Sequence, residues 1–251
     1  MRAFERGQRV KAVILLAGMG SRLGELTAST PKSLLPMGNS NTLQQMVHKL
    51  TDCGIESIVV VCGHMQPVIE RYLAETFPDV SITVVRNPDY RTTNTGYSLL
   101  VARGELDGET FIKLDGDVVF DETILSRLVS APEGSSYVCL DRTAIDDEVI
   151  KVRCNADGTV AGIGNRIPVA SAVGESIGIE RIDRRSSGAL FAKLAEMMDD
   201  PAMFQAYYEV AYDSLVQAGE PFRTVDITGS NWVEVDTQAD YVRAQHLFGT
   251  N

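Results

Sequence analysis

Residues 11–36 read KAVILLAGMGSRLGELTASTPKSLLP, and this stretch decides the fold of the chain. It begins with an apolar run at residues 13–16, which predicts a short buried strand of a parallel sheet. The strand is followed by Gly18 and Gly20, and two such glycines allow the backbone to turn tightly and to approach a ligand closely. Successive N–H groups in such a turn, together with the start of a helix, form a site for anions.

Two basic side chains stand close to this turn in the sequence. Arg22 and Lys32 each add a positive charge within a short reach of the glycines. A glycine-rich anion site with two cations beside it predicts a nucleoside triphosphate as the ligand. The candidate nucleotide-binding residues of the turn are Leu16, Ala17, Gly18, Met19, Gly20 and Ser21.

The spacing of the glycines excludes two common phosphate loops. No window has the Gly-x-x-x-x-Gly-Lys-Ser/Thr pattern of a P-loop, and Gly24 comes one residue too late for a dinucleotide fingerprint. The segments LAGMGSRL and TPKSLLP instead resemble the signature loop of nucleotidyltransferases that activate sugar phosphates and small phospho-alcohols. The residues at the spacing of that family are Gly18, Gly20, Arg22, Pro31, Lys32 and Pro36.

Composition narrows the class of protein. The 251 residues are 44% hydrophobic and 23% charged, which is ordinary for a globular protein. The net charge of −11 argues against nucleic-acid and anionic-membrane partners. The four cysteines show no C-x-x-C spacing, which favours free thiols in a reducing compartment. Residues 1–11 and the few apolar residues after them are too short for a signal peptide or a membrane span, so we expect a cytoplasmic protein. The composition is compatible with a homo-oligomer.

Hydrophobic periodicity predicts alternating strands and helices up to about residue 135, and then short strands with turns between them. The predicted strands are 13–16, 57–62, 80–86, 110–114, 137–140, 149–152, 160–163, 222–227 and 231–235. The predicted helices are 42–53, 67–77, 185–198, 203–218 and 237–248, together with a helix that is capped by Asn94 or Thr95. The alternation predicts an α/β fold with a parallel sheet covered on both faces, followed by a small antiparallel excursion. The family resemblance implies a Rossmann-like three-layer α/β/α fold of the nucleotide-diphospho-sugar transferase type with a mostly parallel mixed sheet. We expect one domain over 1–251, with a nucleotide-binding part at about 10–135 and an acceptor-binding part at about 136–236.

Acidic residues at strand ends predict a cation site. Asp115-Gly116-Asp117 follows a predicted buried strand, and paired carboxylates suit a hard cation that is shared with a phosphate. The family resemblance implies Asp115 and Asp236 as ligands of Mg²⁺, with Asp115 and Gly116 beside the nucleotide and Asp117 facing the acceptor. An acidic turn at a strand end and a helix cap at Asp236 are the alternative interpretations.

One segment bears on which nucleobase the nucleotide carries. Residues 93–99, TNTGYSL, look more like the T-N-N-x-x-S-L run of the phosphocholine, aminoethylphosphonate and inositol-phosphate cytidylyltransferases than like the Gln-Gly-Thr-Ala-like turn of sugar-phosphate enzymes. This resemblance implies that Asn94 and Ser98 contact the nucleotide, although Thr95 stands where the second Asn is usual. Alternatively, Asn94 and Ser98 cap and line the start of a helix.

Three further segments bear on the acceptor. Residues 147–152, DEVIKV, resemble the D-E-x-M-K-V segment of the same enzymes, which implies that Lys151 faces the phosphates; an outward lysine on a half-exposed strand is the alternative. Residues 174–179, GESIGI, resemble G-E-Y-I-G-I, which implies that Glu175 contacts a hydroxyl or an ammonium. Tyr208, beside Tyr207, Glu209 and Tyr212, could hold an ammonium by cation–π contacts, unless these aromatics pack in the core.

Together these resemblances imply a cytidylyltransferase that transfers CMP from CTP to a phosphocholine-, aminoethylphosphonate- or inositol-phosphate-like acceptor and releases pyrophosphate. Because a phosphomonoester is mostly dianionic at neutral pH, the nucleophile needs no general base. Arg22 would hold the β- and γ-phosphates, while Lys32 and Lys151 face the reacting oxygens. A sugar-1-phosphate nucleotidyltransferase that uses another nucleoside triphosphate, and a non-catalytic nucleotide-binding regulatory module, are the alternatives.

Overall fold

Strand β1 (Lys11–Leu16) lies in the middle of the main sheet of the computed structural model, which describes residues 10–143 and 145–249. It pairs in parallel with β4 (Ser57–Cys62) on one side and with β6 (Phe111–Asp115) on the other. Beyond β4 lies β5 (Ser81–Arg86), again parallel. After Lys11, the residues of β1 are buried on both faces and are apolar without alternation, as expected for a central parallel strand.

On the other side of β6 the sheet contains antiparallel pairs of strands. Strand β11 (Gly174–Ile182) runs antiparallel to β6 and to β8 (Ser136–Asp141), and β12 (Phe222–Asp226) pairs in parallel with β8. The first residues of β11 pair with β9 (Lys151–Cys154), which pairs with β10 (Val160–Gly164). Strands β9 and β10 therefore form the small antiparallel excursion that the sequence predicts.

Helices cover both faces of the sheet. One core cluster packs the sheet against α1 (Thr42–Asp52), α2 (Gln66–Thr76) and α5 (Glu122–Ser130). The other packs it against α3 (Thr95–Leu100), α4 (Arg103–Leu106), α6 (Arg184–Met198) and α7 (Glu209–Gln217). The predicted three-layer α/β/α fold is confirmed.

A third cluster lies at the edge that carries the loops. It joins α8 (Gln238–Phe248), the antiparallel pair β7 (Val118–Phe120) and β13 (Trp232–Glu234), and the hairpin of β2 (Pro36–Met37) and β3 (Ser40–Asn41). Short 3₁₀ helices occur at Ser21–Thr27, Lys32–Leu34, Val169–Ser171 and Pro201–Met203. This cluster attaches the Lys32 segment and the Asp236 segment to the same end of the sheet.

The element predictions differ from the structure in several places. The predicted helix at 203–218 begins at Glu209, because the chain first forms the 3₁₀ turn Pro201–Met203. The predicted strand at 149–152 begins at Lys151. Helix α5 was not predicted, although Ile124, Leu125, Leu128 and Val129 have the spacing of one helix face.

No helix in the described part of the chain combines the length and the apolar character that crossing a membrane requires. The prediction that the chain begins without a signal peptide rests largely on residues 1–9, which lie outside the described residues.

Candidate functional site

The glycine turn after β1 packs directly against Lys32. Gly20 adopts a left-handed backbone conformation with φ of 62°, and a Cβ there would come within 3.2 Å of Lys32 Cβ. Thr27 is buried, and its hydroxyl donates to the Gly20 carbonyl over 2.9 Å, which closes the turn. Of the predicted nucleotide-binding residues, Leu16 and Ala17 are buried, whereas Gly18, Met19 and Ser21 are exposed and accessible to a ligand.

Lys32 lies between two carboxylates that come from distant parts of the chain. Its ammonium is 2.9 Å from Asp117 Oδ2 and 2.7 Å from Asp236 Oδ1. Burial of the ammonium alone would lower its pKa, but attraction to Asp117 and Asp236 outweighs burial and raises the pKa above the ordinary value. Lys32 is therefore a permanent cation in the centre of the site.

Arg22 reaches the same carboxylate from the glycine turn. One guanidinium nitrogen lies 2.9 Å from Asp236 Oδ2, and 71% of the side chain is exposed. Both predicted cations thus meet Asp236, so the basic turn and the distant aspartate converge on one place. An exposed arginine can move toward a ligand at little cost, because an exposed ion pair contributes little free energy.

The acidic cluster differs from the predicted one. Within residues 10–143 and 145–249, Asp117, Glu234 and Asp236 can each place a carboxylate oxygen within 4.8 Å of the others. The expected pair of ligands is Asp115 and Asp236; in this cluster Asp117 rather than Asp115 lies near Asp236, and the ligand role of each aspartate stays a prediction. The reason is geometric, because the turn at Gly116 sends the two aspartates in different directions.

Glu234 was missed by the sequence analysis. It is the last residue of β13, two positions before Asp236, and this alternation in a strand was the available signal. Desolvation of its carboxyl, with repulsion from Asp117 and Asp236, raises its pKa to about 8. Crowding of carboxylates that raises a pKa in this way is relieved when a cation binds among them.

Asp115 instead points into a buried ionic group that was also missed. Its Oδ2 atom lies 3.0 Å from the ammonium of Lys113 and accepts a 2.6 Å hydrogen bond from the Tyr208 hydroxyl. Lys113 has no exposed side-chain surface and pairs with Glu180 over 2.7 Å. A charged residue within the hydrophobic strand FIKLD was the only sequence signal for this group.

Tyr208 is buried, and its contact with the acceptor stays a prediction. The cation over its ring is the chain's own Lys113, whose ammonium is 3.7 Å from the ring centroid. Tyr212 packs against Tyr208 with 5.1 Å between the ring centroids. Both rings belong to the core cluster, as the alternative interpretation expects.

Replacing Glu209 with glutamine should make the stability of the chain less dependent on pH. Burial of the Glu209 carboxyl raises its pKa to about 8 despite the nearby Lys113. Between about pH 5 and pH 8 the unfolded chain therefore binds fewer protons than the folded chain, so stability falls as the pH rises. We expect Glu209→Gln to melt roughly a few degrees above wild type at pH 8 and close to it at pH 5.

Thermal unfolding followed by circular dichroism across this range checks the expectation. Glu180, Asp115, Lys113, Tyr208 and Tyr212 face the same buried group, so the wild-type slope reports the whole cluster. Equal melting curves of variant and wild type at pH 8 would show that Glu209 is not protonated in the fold.

Lys151 is buried at the start of β9. Its ammonium donates to the main-chain carbonyls of Asp146, Asp147 and Val149, over 3.2, 2.8 and 3.2 Å. These bonds fold the 146–149 loop over the lysine, so the alternative of an outward lysine is wrong. A contact between Lys151 and a phosphate would require it to exchange these carbonyls for phosphate oxygens, and its catalytic role stays a prediction.

Asn94 and Ser98 have structural roles in the described chain. Asn94 caps α3 by accepting a 2.8 Å hydrogen bond from the Thr95 amide, as predicted by the alternative interpretation. The Ser98 hydroxyl is buried and accepts a 3.0 Å hydrogen bond from the Asn87 side chain. The Asn94 side-chain nitrogen is near Gln205 O at 3.4 Å and exposed. Contact of either residue with a base stays a prediction.

Glu175 lies on β11 between two neighbouring strands. It stands opposite Asp141 of β8 and Lys151 of β9, and directly opposite residues project to the same face of a sheet. Burial, with repulsion from Asp141 and Asp146, raises the pKa of Glu175 to about 7. The carboxyl of Asp141 accepts a 2.7 Å hydrogen bond from the Trp232 indole. Glu175 therefore belongs to an acidic region that a positive group would stabilise.

The fold and this geometry define a class of protein. A mostly parallel α/β sheet, a glycine turn with two cations at its carboxyl edge, and a carboxylate cluster facing them form the arrangement of a nucleotide-dependent transferase. Residues 12–154 match the family of MobA-like NTP transferase domains, and the chain belongs to that family.

Two curated relatives share much of the sequence. A CMP-5'-(3-aminopropyl)phosphonate synthase of Streptomyces rubellomurinus is 32% identical over 245 residues, which are 95% of this chain and 39% of that protein. A choline-phosphate cytidylyltransferase of Haemophilus influenzae is 30% identical over 154 residues, which are 61% of this chain and 62% of that protein. The chain thus spans about half the length of the curated relatives it matches first.

Solved structures with low sequence identity share the fold. The CTP:phosphocholine cytidylyltransferase of Streptococcus pneumoniae matches 95% of this chain and 99% of its own with a TM-score of 0.76 and 22% identity. The inositol-1-phosphate CTP transferase of T. maritima matches 99% of both chains with a TM-score of 0.81 and 20% identity. Both alignments support the fold class described above.

Proposed function

We propose that this protein is a cytidylyltransferase that transfers CMP from CTP to a small phosphorylated alcohol or a phosphonate and releases pyrophosphate. The observation that carries the proposal is the position of Lys32, which is bound to Asp117 and Asp236 directly beside the glycine turn. The names of the relatives, which include an aminopropylphosphonate synthase and a choline-phosphate cytidylyltransferase, support CTP and this class of acceptor.

We further propose Mg²⁺ as the cofactor. The donor set fits, because Asp117, Glu234 and Asp236 offer hard carboxylate oxygens within 4.8 Å of one another. Asp117 and Asp236 would hold the ion, with Glu234 as a third ligand or as an acceptor for its water. When bound, Mg²⁺ neutralises charge on the phosphates of the nucleotide.

The chain's own cations perform the remaining electrostatic work. With Asp117 and Asp236 holding a metal ion, the ammonium of Lys32 and the guanidinium of Arg22 would lose their present carboxylate partners. Lys32 is then free to stabilise the added negative charge at the α-phosphate, and Arg22 to bind the outer phosphates. Gly18 and Met19 of the same turn are exposed, so the turn is open to the phosphates.

The acceptor needs orientation rather than activation. A phosphomonoester with a second pKa near ~6 is mostly dianionic at neutral pH, so its oxygen attacks without a general base. The carboxyl of Glu175 is suited to a positive group at the far end of the acceptor, and its neighbours Asp141 and Asp146 add negative potential there. The remaining proposed contacts fall into two groups. The nucleotide is contacted by Asn94, Ser98 and Gly116. The reacting oxygens are contacted by Lys151 and Asp117.

Within this proposal the part of the chain at about 10–135 binds the nucleotide and the part at about 136–236 binds the acceptor. Cys53, Cys62, Cys139 and Cys154 are all free, which supports the predicted cytoplasmic location.

Pyrophosphate release from a panel of substrates tests the function. Purified protein with Mg²⁺ is given CTP, UTP, ATP, GTP or dTTP, each with phosphocholine, 2-aminoethylphosphonate, 3-aminopropylphosphonate, inositol 1-phosphate or glucose 1-phosphate. We expect turnover with CTP and an acceptor other than glucose 1-phosphate, and faster turnover with acceptors that carry an ammonium group. Turnover only with a sugar 1-phosphate would replace the proposal with a sugar-activating enzyme. Binding of nucleotide without turnover on any acceptor would indicate a regulatory module.

A further inference from the structure

The turn that joins β6 to β7 is held from inside the protein. Its two aspartates point in different directions: Asp117 binds Lys32 in the acidic cluster, and Asp115 reaches the buried Lys113 and Tyr208. The amide of Gly116 between them donates to the carbonyl of Leu15 over 3.1 Å. The position of Asp117 therefore depends on how firmly the Asp115 side chain is held.

Asp115 is held through a single carboxylate oxygen. Its Oδ2 atom contacts the Lys113 ammonium at 3.0 Å and the Tyr208 hydroxyl at 2.6 Å, and Tyr208 and Lys113 also bond to each other. Within residues 10–143 and 145–249 its Oδ1 atom is buried and has no hydrogen-bond partner. Loss of either donor to Oδ2 would leave a buried carboxylate with too few partners, which is costly.

Strand β11 is shaped around the same oxygen. Gly178 has φ of 75° and directs its carbonyl at the Lys113 ammonium over 3.1 Å. A Cβ at Gly178 would collide with the Asp115 carboxylate. The register of β11 against β8 shifts between Ser176 and Glu180, so the strand bulges where it passes Asp115. The bulge, the lysine and the tyrosine together enclose the carboxylate.

Stability alone does not account for this group. A buried ion pair commonly adds no more stability than apolar side chains of the same volume would. Buried polar groups with directed hydrogen bonds do restrict the geometry of what they hold. Here the restricted element is the turn that carries Asp117.

We propose that Lys113 and Tyr208 are positioning residues for the metal-binding turn, which act by fixing Asp115 so that Asp117 keeps its place beside Glu234 and Asp236. The inference rests on the metal site of the proposed function. It assigns to Tyr208 a role at the nucleotide and metal side of the site, whereas the sequence predicts contact with the acceptor. Both residues are buried and act through Asp115.

Tyr208→Phe is the direct test, and Tyr212→Phe is its matched control. Tyr208→Phe removes the hydroxyl bonded to Asp115 and keeps the ring over Lys113. Tyr212 is buried one helical turn later, and its hydroxyl has no hydrogen-bond partner within the described part of the chain. The two variants thus make the same chemical change in the same core, with and without the link to the turn.

The readout is the affinity for Mn²⁺ alone, from the electron paramagnetic resonance signal of the free ion. We expect Tyr208→Phe to bind Mn²⁺ about 10-fold more weakly than wild type, and Tyr212→Phe to bind it equally well. Lys113→Met should weaken Mn²⁺ binding at least as much, and propylammonium should partly restore it, because the ion can replace the missing ammonium. Circular dichroism confirms that each variant is folded.

Wild-type Mn²⁺ affinity in folded Tyr208→Phe would overturn the inference, as would equal weakening in both tyrosine variants. If Tyr208→Phe does not fold, wild-type Mn²⁺ affinity in folded Lys113→Met overturns it instead. The proposed function fails by a different result. In that case the wild-type protein binds Mn²⁺ but transfers no CMP to any acceptor of the panel.

Discussion

Replacing Lys32 with alanine is expected to lower the rate of CMP transfer by about 10²-fold or more while the fold is retained. The ammonium contacts both Asp117 and Asp236, so in the proposed mechanism it lies where the phosphates and the metal meet. Its raised pKa keeps it charged at any pH at which the protein works. Loss of the ammonium removes stabilisation of the charge that develops at the α-phosphate in the transition state. The effect is therefore a lower kcat.

Steady-state kinetics with CTP and the best acceptor of the panel measure this loss. The control is Lys193→Ala on α6, a lysine that pairs with Glu196 away from the site. The affinity for Mn²⁺ alone should change in the opposite direction from turnover. Because the alanine variant no longer neutralises Asp117 and Asp236, it should bind Mn²⁺ more tightly than wild type. Near-normal turnover in the Lys32 variant would remove this residue from the mechanism.

Replacing Asp236 with asparagine is expected to lower CMP transfer by about 10³-fold, because the change affects both charges of the site. Asp236 binds Lys32 through one oxygen and Arg22 through the other, and it belongs to the acidic cluster with Asp117 and Glu234. Asparagine keeps the shape of the side chain but loses the negative charge that holds a cation.

The metal dependence of this variant distinguishes loss of a ligand from loss of an ion pair. Turnover should recover in part when the Mg²⁺ concentration is raised, since weaker binding is offset by mass action. The matched control is Asp199→Asn, an exposed aspartate at the end of α6. A variant that is as slow as expected but needs no more Mg²⁺ than wild type would show that Asp236 acts only through Lys32 and Arg22.

Local sequence patterns were enough to predict most of the fold. The apolar runs that became β1, β4 and β6 were visible because central parallel strands are buried on both faces. The glycine turn was visible because few residues other than glycine accept the conformation of Gly20. Helix α5 is short, so its buried face of Ile124, Leu125, Leu128 and Val129 gives a weak periodic signal.

Pairings between distant residues were harder to predict. The convergence of Lys32 with Asp236 was expected only because the segments resemble a family, and nothing local links two residues so far apart. Glu234 is exposed at the end of its strand, as such acidic residues usually are, and only the approach of Asp117 from a distant segment makes it part of a cluster. Lys151 could be read either way, and only the path of the 146–149 loop decided that its ammonium is buried.

By itself the sequence determined the strands and helices, the anion-binding turn and the two cations beside it. These depend on hydrophobic periodicity and on backbone conformation, which are properties of neighbouring residues. Only the tertiary structure decided that Asp117 and not Asp115 joins Asp236, and that the cation over Tyr208 is Lys113. The physical reason is that one turn directs two adjacent carboxylates into different surroundings, and burial and charge then give each its partner.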